Sequence, residues 1–337
     1  MTRVLVVDDS AVVRRVISEE LSKCDGIEVV GTAIDPYMAR EKIAALRPDV
    51  ITLDIEMPRM DGLSFLEKLM KHHPLPVVVV SSLAPENSEN ALRALSLGAV
   101  EIVSKPGSQF SAPDVQRELA RAVRTAAKAR VFARQEKREA APIKSQLETT
   151  HKIIAIGAST GGTQAIERVL TQFPVNSPGT VIVQHMPAGF TEAFARRLNQ
   201  ICKIEVREAR QNDAVTPGVA LIAPGNLHML LERSGASYSV SLRNGPAVHY
   251  QRPSVDVMFQ SVARNAGRNA VGVILTGMGA DGAKGLLDMH RAGARTIAQD
   301  EATCVVYGMP REAVKLGGAD EVLPLGQIPK AVFDLLQ

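Results

Sequence analysis

Over the first third of the chain, short apolar runs alternate with amphipathic stretches. "RVLVVDD", "IEVVGTA", "DVITLD", "PVVVVSS" and "VEIVSKP" are rich in β-branched residues and bounded by polar or turn residues. Between them, segments such as Ala11–Lys23 and Ala39–Leu46 repeat their apolar positions at helical spacing. Continuous rather than alternating apolar runs mark strands buried on both faces. Five such strands interleaved with helices over residues 1–107 predict a parallel sheet covered on both sides. The pattern then breaks. "VQRELARAVRTAAKARVFARQEKREAAP" starts as a helix and frays into polar residues, so residues 108–150 read as a last helix running into a solvated linker. From residue 151 to 337 the strand-then-helix rhythm returns in "KIIAIGA", "GTVIVQH", "AVGVILTG" and "ARTIAQD". This predicts a second domain, doubly wound, mainly parallel and α/β. "VALIAPG", "HMLLERSG" and "YSVSLRNG", around residues 219–243, predict a hairpin or small antiparallel addition to it.

Bulk properties narrow the function classes. A length of 337 residues suits two domains of about 150 residues each. With 45% hydrophobic and 22% charged residues, the chain can fill ordinary globular cores. A net charge of +3 argues against nucleic acid or a membrane surface as a partner. Cys24, Cys202 and Cys304 are widely separated, with no metal-ligand spacing, and read as buried thiols of a reducing compartment. "MTRVLVVDDS" turns acidic too soon for a secretory signal, and no apolar run reaches membrane-spanning length. The expectation is a cytoplasmic protein without direct membrane insertion.

Candidate chemistry in the first half gathers at the carboxyl ends of the strands, where open parallel sheets bind ligands. The first strand ends in Asp8 and Asp9, the third in Asp54, the fourth in Ser81 and Ser82, and the fifth in Lys105 followed by Pro106. Three carboxylates on one rim repel one another and raise each other's pKa. A hard divalent cation relieves that repulsion, and Mg²⁺ suits a few carboxylates with retained waters and phosphate oxygens. A single strand-end aspartate more often caps the next helix, whereas three with a lysine point to a site. "VDDS", "LDIEMPRMDG" and "SKP" resemble the receiver domain of bacterial response regulators, a flavodoxin-like fold. The resemblance implies that Asp54 accepts a phosphoryl group, and that Asp8 and Asp9 hold Mg²⁺ with the Glu56 carbonyl. It also implies a switch hydroxyl at Ser81 and a phosphoryl partner in Lys105. Many receivers carry an aromatic residue three positions before that lysine; here it is Ile102.

In the second half, "IIAIGASTGG" at residues 153–162 fits two mechanisms. Gly157, Ser159 and Gly162 approximate a dinucleotide-binding turn, while Gly157, Ser159 and Gly161 spell a nucleophile elbow. A dinucleotide site wants an acid at the tip of the next strand, but that strand ends in Gln184 and His185. Serine in place of the second glycine also crowds a pyrophosphate. The elbow instead gains from His185, because neighbouring strands lie about 4.8 Å apart and imidazole is suited to relay a serine proton. A carboxylate must then orient the ring. Asp256, Asp281 and Asp300 are candidates; Asp281 is favoured because "VILTGMGADGAKGL" repeats the strand-turn-helix geometry of the serine loop. Those glycines could cradle a phosphate or an oxyanion. His228 and His249 compete as bases, while His72, His73 and His151 read as solvated.

"GASTGGTQA", "QHMPAGFT", "APGNLHM", "RPSVDVMF", "ILTGMGADGAKGL" and "AQDEATCVVYGMP" resemble the catalytic domain of chemotaxis protein-glutamate methylesterases, a family with a receiver domain in front. By that resemblance Ser159 is the nucleophile, His185 the base and acid, Asp281 the orienting carboxylate, and the Met278 amide part of an oxyanion hole. It implies methyl-ester hydrolysis and glutamine deamidation on chemoreceptor cytoplasmic domains, switched on when the chemotaxis histidine kinase phosphorylates Asp54. It implies no cofactor in the catalytic domain. A receiver-gated phosphate- or nucleotide-binding module without catalysis is the alternative.

Overall fold

The computed structural model describes residues 1–57, 61–81, 85–105, 112–131 and 151–336. Ser82, Pro106 and residues 132–150 of the expected linker lie outside the described residues. The chain divides into two compact units, Met1–Lys137 and Arg138–Gln337.

The first unit alternates strand and helix throughout: β1 (Thr2–Val7), α1 (Ala11–Ser22), β2 (Ile27–Ala33), α2 (Pro36–Leu46) and β3 (Val50–Asp54). It continues as α3 (Gly62–His72), β4 (Val77–Ser81), α4 (Pro85–Leu97), β5 (Glu101–Ser104) and α5 (Ala112–Ala126). The five strands are parallel in the order β2-β1-β3-β4-β5. The chain leaves β1 in one direction and returns to β3 on the other side, which opens a crevice beyond the tips of β1 and β3. Val4, Val6, Val50, Val78, Val80 and Val103 pack with Ile17 and Leu21 of α1 and Leu119 and Val123 of α5 in one core. Polar residues punctuate the helices: Ser10 accepts the Val13 amide at 3.4 Å, Asp35 the Met38 amide at 2.9 Å and Asp61 the Ser64 amide at 2.8 Å. Asp61, the second aspartate of "LDIEMPRMDG", is therefore the N-cap of α3.

The second unit runs β6 (Ile153–Ala158), α6 (Gly162–Leu170), β7 (Gly179–Gln184), α7 (Phe190–Ile201), β8 (Glu205–Glu208) and β9 (Val219–Ile222). The hairpin β10 (His228–Ser234) and β11 (Ser237–Arg243) follows, then α8 (Val255–Asn265), β12 (Ala270–Ile274) and α9 (Ala283–Arg291). β13 (Arg295–Gln299), α10 (Met309–Lys315), β14 (Glu321–Leu323) and α11 (Ile328–Asp334) complete it. Seven parallel strands form one sheet in the order β14-β13-β12-β6-β7-β9-β8. The antiparallel addition is the β10–β11 hairpin, with Ala214 bridged antiparallel to Ser239 on its other edge. "VALIAPG" does not join it: β9 pairs with both β7 and β8, and its apolar run is buried inside the parallel sheet. Helix α8 is tied to the hairpin, with Ser261 Oγ accepting the Leu231 amide at 2.8 Å and Asn265 Nδ2 donating to the Leu231 carbonyl at 2.9 Å. Met258 and Phe259 on the same helix enter the core.

Cys304 is buried, whereas Cys24 and Cys202 are only partly so. Burial pushes the Cys202 thiol up to about 12. Among the described residues no helix is long and apolar enough to cross a membrane.

Candidate active site and acidic pocket

Strand β6 is flanked by β7 on one side and β12 on the other, so the loops after these three strands meet at the sheet's switch point. Ser159 follows β6, His185 follows β7, and Met278 and Asp281 follow β12. Ala158 is in register with Gln184, which brings the next residues, Ser159 and His185, to adjacent strand tips. The Ser159 amide donates to the Thr276 carbonyl at 3.0 Å and the His185 amide to the Ala158 carbonyl at 3.1 Å. Gln184 fastens the pair from below: its Nε2 donates to the Ser159 carbonyl at 2.9 Å and the His185 carbonyl at 3.0 Å. Gly161 turns the chain into α6 with φ +76°, a left-handed conformation that glycine adopts without strain. Ser159 is 7% exposed.

Of the three candidate carboxylates, Asp281 is the one bonded to His185, its Oδ2 lying 2.7 Å from Nε2. Asp281 is buried and also accepts from Ser254 Oγ at 2.7 Å, the Val255 amide at 2.8 Å and the Asp256 amide at 3.0 Å. Ser254 is the N-cap of α8, so the carboxylate sits on the positive end of a helix. Burial alone pushes its pKa up, but hydrogen bonds from His185, the α8 amide and Ser254 outweigh that and hold Asp281 below the usual carboxylate range. The other ring nitrogen of His185, Nδ1, is buried and among the described residues has no hydrogen-bond partner, so the Ser159 hydroxyl and the ring are not bonded in this state.

The remaining candidates are engaged elsewhere. Asp256 accepts from the Gly285 amide at 2.6 Å and lies 3.1 Å from His249 Nε2. Its pKa is raised, by burial first and then by the charge of Asp281. Asp300 closes a turn through the amide and hydroxyl of Thr303. His228 is buried between the Ser254 amide and the Pro246 carbonyl, while His72, His73 and His151 are exposed. Met278 is partly buried, and among the described residues its amide donates to no carbonyl. Gly277 before it packs so closely that a Cβ there would stand 2.8 Å from Ser159 Cβ.

Two contributors were not singled out by motif. Ser254 and the next two amides cradle Asp281; a serine ahead of an apolar periodic run is a helix-start signal that marks them. Gln184 stands where a dinucleotide site would carry an acid, and as a glutamine at a buried strand tip it has donors that must be satisfied.

In the first unit, Asp8, Asp9 and Asp54 bring carboxylate oxygens within 4.8 Å of one another. Lys105 Nζ lies 2.7 Å from Asp54 Oδ2 and 3.7 Å from Asp8 Oδ2. Asp54 Oδ1 accepts the Glu56 amide at 3.1 Å and Asp8 Oδ1 the Ser10 amide at 2.8 Å, while Asp8 Oδ2 is buried and among the described residues has no hydrogen-bond partner. Burial, then the charge of Asp54, pushes Asp8 up to about 6 despite the pull of Lys105. Those two carboxylates, outweighing burial, hold the Lys105 ammonium above its ordinary value. Ser81 is buried at the tip of β4, Glu56 is exposed, and Ile102 is buried within β5.

Residues 154–332 match the CheB methylesterase family and residues 4–111 the response regulator receiver domain. The chain is 58% identical to protein-glutamate methylesterase/protein-glutamine glutaminase 2 of Syntrophus aciditrophicus, over 99% of both chains. It is 55% identical to the protein-glutamate methylesterase/protein-glutamine glutaminase of Salmonella typhimurium, over 98% of this chain and 96% of the relative. The CheB methylesterase catalytic domain of Thermotoga maritima superposes with a TM-score of 0.54 at 39% identity, covering 55% of this chain and 98% of that one. A parallel α/β domain with serine, histidine and aspartate loops at its switch point, preceded by a receiver sheet, thus has full-length relatives, and the chain belongs to the CheB methylesterase family.

Proposed function

We propose that the chain hydrolyses γ-glutamyl methyl esters on chemoreceptor cytoplasmic domains, and deamidates glutamine there, through Ser159, His185 and Asp281. The observation that carries this reading is the state of the His185 ring. Its Nε2 is held 2.7 Å from a buried carboxylate, and its Nδ1 is buried and, among the described residues, unpaired beside the strand tip that bears Ser159. Ionised Asp281 accepts from Nε2–H, which leaves the lone pair on Nδ1. Nδ1 takes the Ser159 hydroxyl proton as Oγ bonds to the ester carbonyl carbon and the C=O electron pair moves onto oxygen. The Met278 amide supplies a donor for that oxyanion. Collapse of the tetrahedral intermediate breaks the bond to methoxide, and His185 returns the proton so that methanol leaves. Water then attacks the acyl-serine, gives a proton to His185, and releases the carboxylate with Ser159 Oγ reprotonated. A primary amide follows the same route and releases ammonia. The names of the full-length relatives support the substrate class.

Control of this activity falls to the first unit. Asp54 accepts a phosphoryl group from a chemotaxis histidine kinase, with Lys105 paired to its oxygens and Ser81 supplying the switch hydroxyl. Asp8, Asp9 and Asp54, with the Glu56 carbonyl, suit Mg²⁺, and the orphaned Oδ2 of Asp8 fits a ligand to a hard cation. When bound, the cation offsets the charge of carboxylate and phosphoryl oxygens. Phosphorylation of Asp54 then raises the activity of the catalytic unit. A non-catalytic phosphate or nucleotide module is disfavoured because Gln184 Oε1 fills the space over Gly162 where a phosphate would approach the backbone.

Methanol release from methylated receptor membranes tests the reading. Wild type should release methanol, more so with acetyl phosphate and Mg²⁺, and Ser159→Ala should release none while keeping its fold. Full activity in Ser159→Ala would refute the nucleophile assignment. Stimulation that survives Asp54→Ala would refute the control.

A further inference from the structure

His228 opens β10 and is 5% exposed. Both of its ring nitrogens are used. Nδ1 accepts the Ser254 amide at 3.2 Å, and Nε2 lies 3.0 Å from the Pro246 carbonyl, which can only accept. The neutral ring with its proton on Nε2 is the one form that satisfies both contacts. Ser254 is the hinge of the arrangement around Asp281. Its hydroxyl donates to Asp281 Oδ1 at 2.7 Å, and the next two amides, Val255 and Asp256, donate to the same carboxylate. The donors that hold Asp281, other than His185, thus come from three consecutive residues. The amide of the first is the one N–H of the three that turns away from Asp281, and His228 receives it.

We propose that His228 is a positioning residue for hydrolysis: as a neutral acceptor it anchors the Ser254 amide, which fixes the three-residue cradle of Asp281 and, through Asp281, the His185 ring. This rests on the reading of Ser159, His185 and Asp281 as the reacting set. Neither ring nitrogen of His228 bonds a reacting residue directly, so its influence has to pass through Ser254.

Asparagine and glutamine separate the two contacts. Asn carries an acceptor near the position of Nδ1, and Gln reaches toward the position of Nε2. On methylated receptor membranes, His228→Gln should lower kcat roughly tenfold with KM unchanged, and His228→Asn should recover most of that loss. In an Asp281→Asn background, with its residual hydrolysis as the reference, His228→Gln should cost little more, because the ionised carboxylate that the cradle serves is already gone. A role in stability alone predicts the opposite: equal losses in both backgrounds, no advantage for Asn, and a lowered melting temperature. Any of these overturns the proposal. If the Gln variant does not fold, the wild-type chain provides the test by itself. Long-range ¹H–¹⁵N spectra at neutral pH should show His228 neutral with its proton on Nε2; a doubly protonated ring, or a proton on Nδ1, refutes the anchor. An inactive Ser159→Ala together with an unimpaired His228→Gln would refute this inference and leave the proposed function standing.

Discussion

Asp281 and Asp256 are both buried carboxylates bonded to a histidine, yet their surroundings drive them in opposite directions. Asp281 collects a hydroxyl, two amides and an imidazole, and is held ionised; Asp256 has one amide and a half-exposed His249, and is pushed up. Asp281→Asn should therefore lower kcat by about 10³–10⁴-fold, the scale of removing an orienting carboxylate, whereas Asp256→Asn should stay within about tenfold; initial rates of methanol release distinguish them. Strand-tip position was legible for Ser159 and His185, because apolar runs end where those residues begin, and Asp281 was legible as part of the glycine-rich turn that follows β12. Among the aspartates, the repeated strand-turn-helix pattern favoured Asp281 over Asp256 and Asp300, but spacing says nothing about which amides converge on a carboxylate. Asp8 carries a second prediction at this scale. Its pKa rises from 3.8 to about 6 on folding, so the folded chain binds the proton more tightly and loses stability as pH rises from about 4 through 6. A divalent cation reverses that loss only where Asp8 is ionised. Mg²⁺ should thus raise the melting temperature of this unit more at pH 8 than at pH 5, and Asp8→Asn should raise the metal-free value at pH 8 while abolishing the Mg²⁺ response; a pH-independent Mg²⁺ effect would contradict it.

At the scale of elements, the long buried strands declared themselves, and the short ones did not. β8 and β14 span four and three residues and carry exposed side chains, so neither makes an apolar run. β9 reads as a partner of the hairpin because it precedes it closely in sequence; three of its four residues are buried and suit a strand paired on both edges. What sequence cannot display is how tightly neighbouring loops are pressed together. The Gly277 turn touches both Ser159 and Met309, so Gly277→Ala should displace the serine loop and cut kcat by at least about tenfold, with helical circular dichroism preserved. A variant with full activity would show that the two loops can separate without loss.

Among the described residues, one hydrophobic core lies in the first unit and one in the second. In calorimetry the full chain should melt in two transitions, and Mg²⁺ should shift one of them; a single transition moved as a whole would mean that the cores are coupled. The two-domain plan was readable from composition alone, because the Ala-, Arg- and Lys-rich stretch interrupts the strand-helix rhythm. Among the described residues, the bonds that orient the His185 ring, from Gln184 below it to Ser254 behind Asp281, come from the second unit. On the proposed reading, a switch acting on such a machine has no parts to assemble and governs admission instead. Activation by a phosphodonor should then depend on the bulk of what is admitted, large for an ester carried on a receptor helix and smaller for a free glutamate γ-methyl ester measured with the same enzyme preparation.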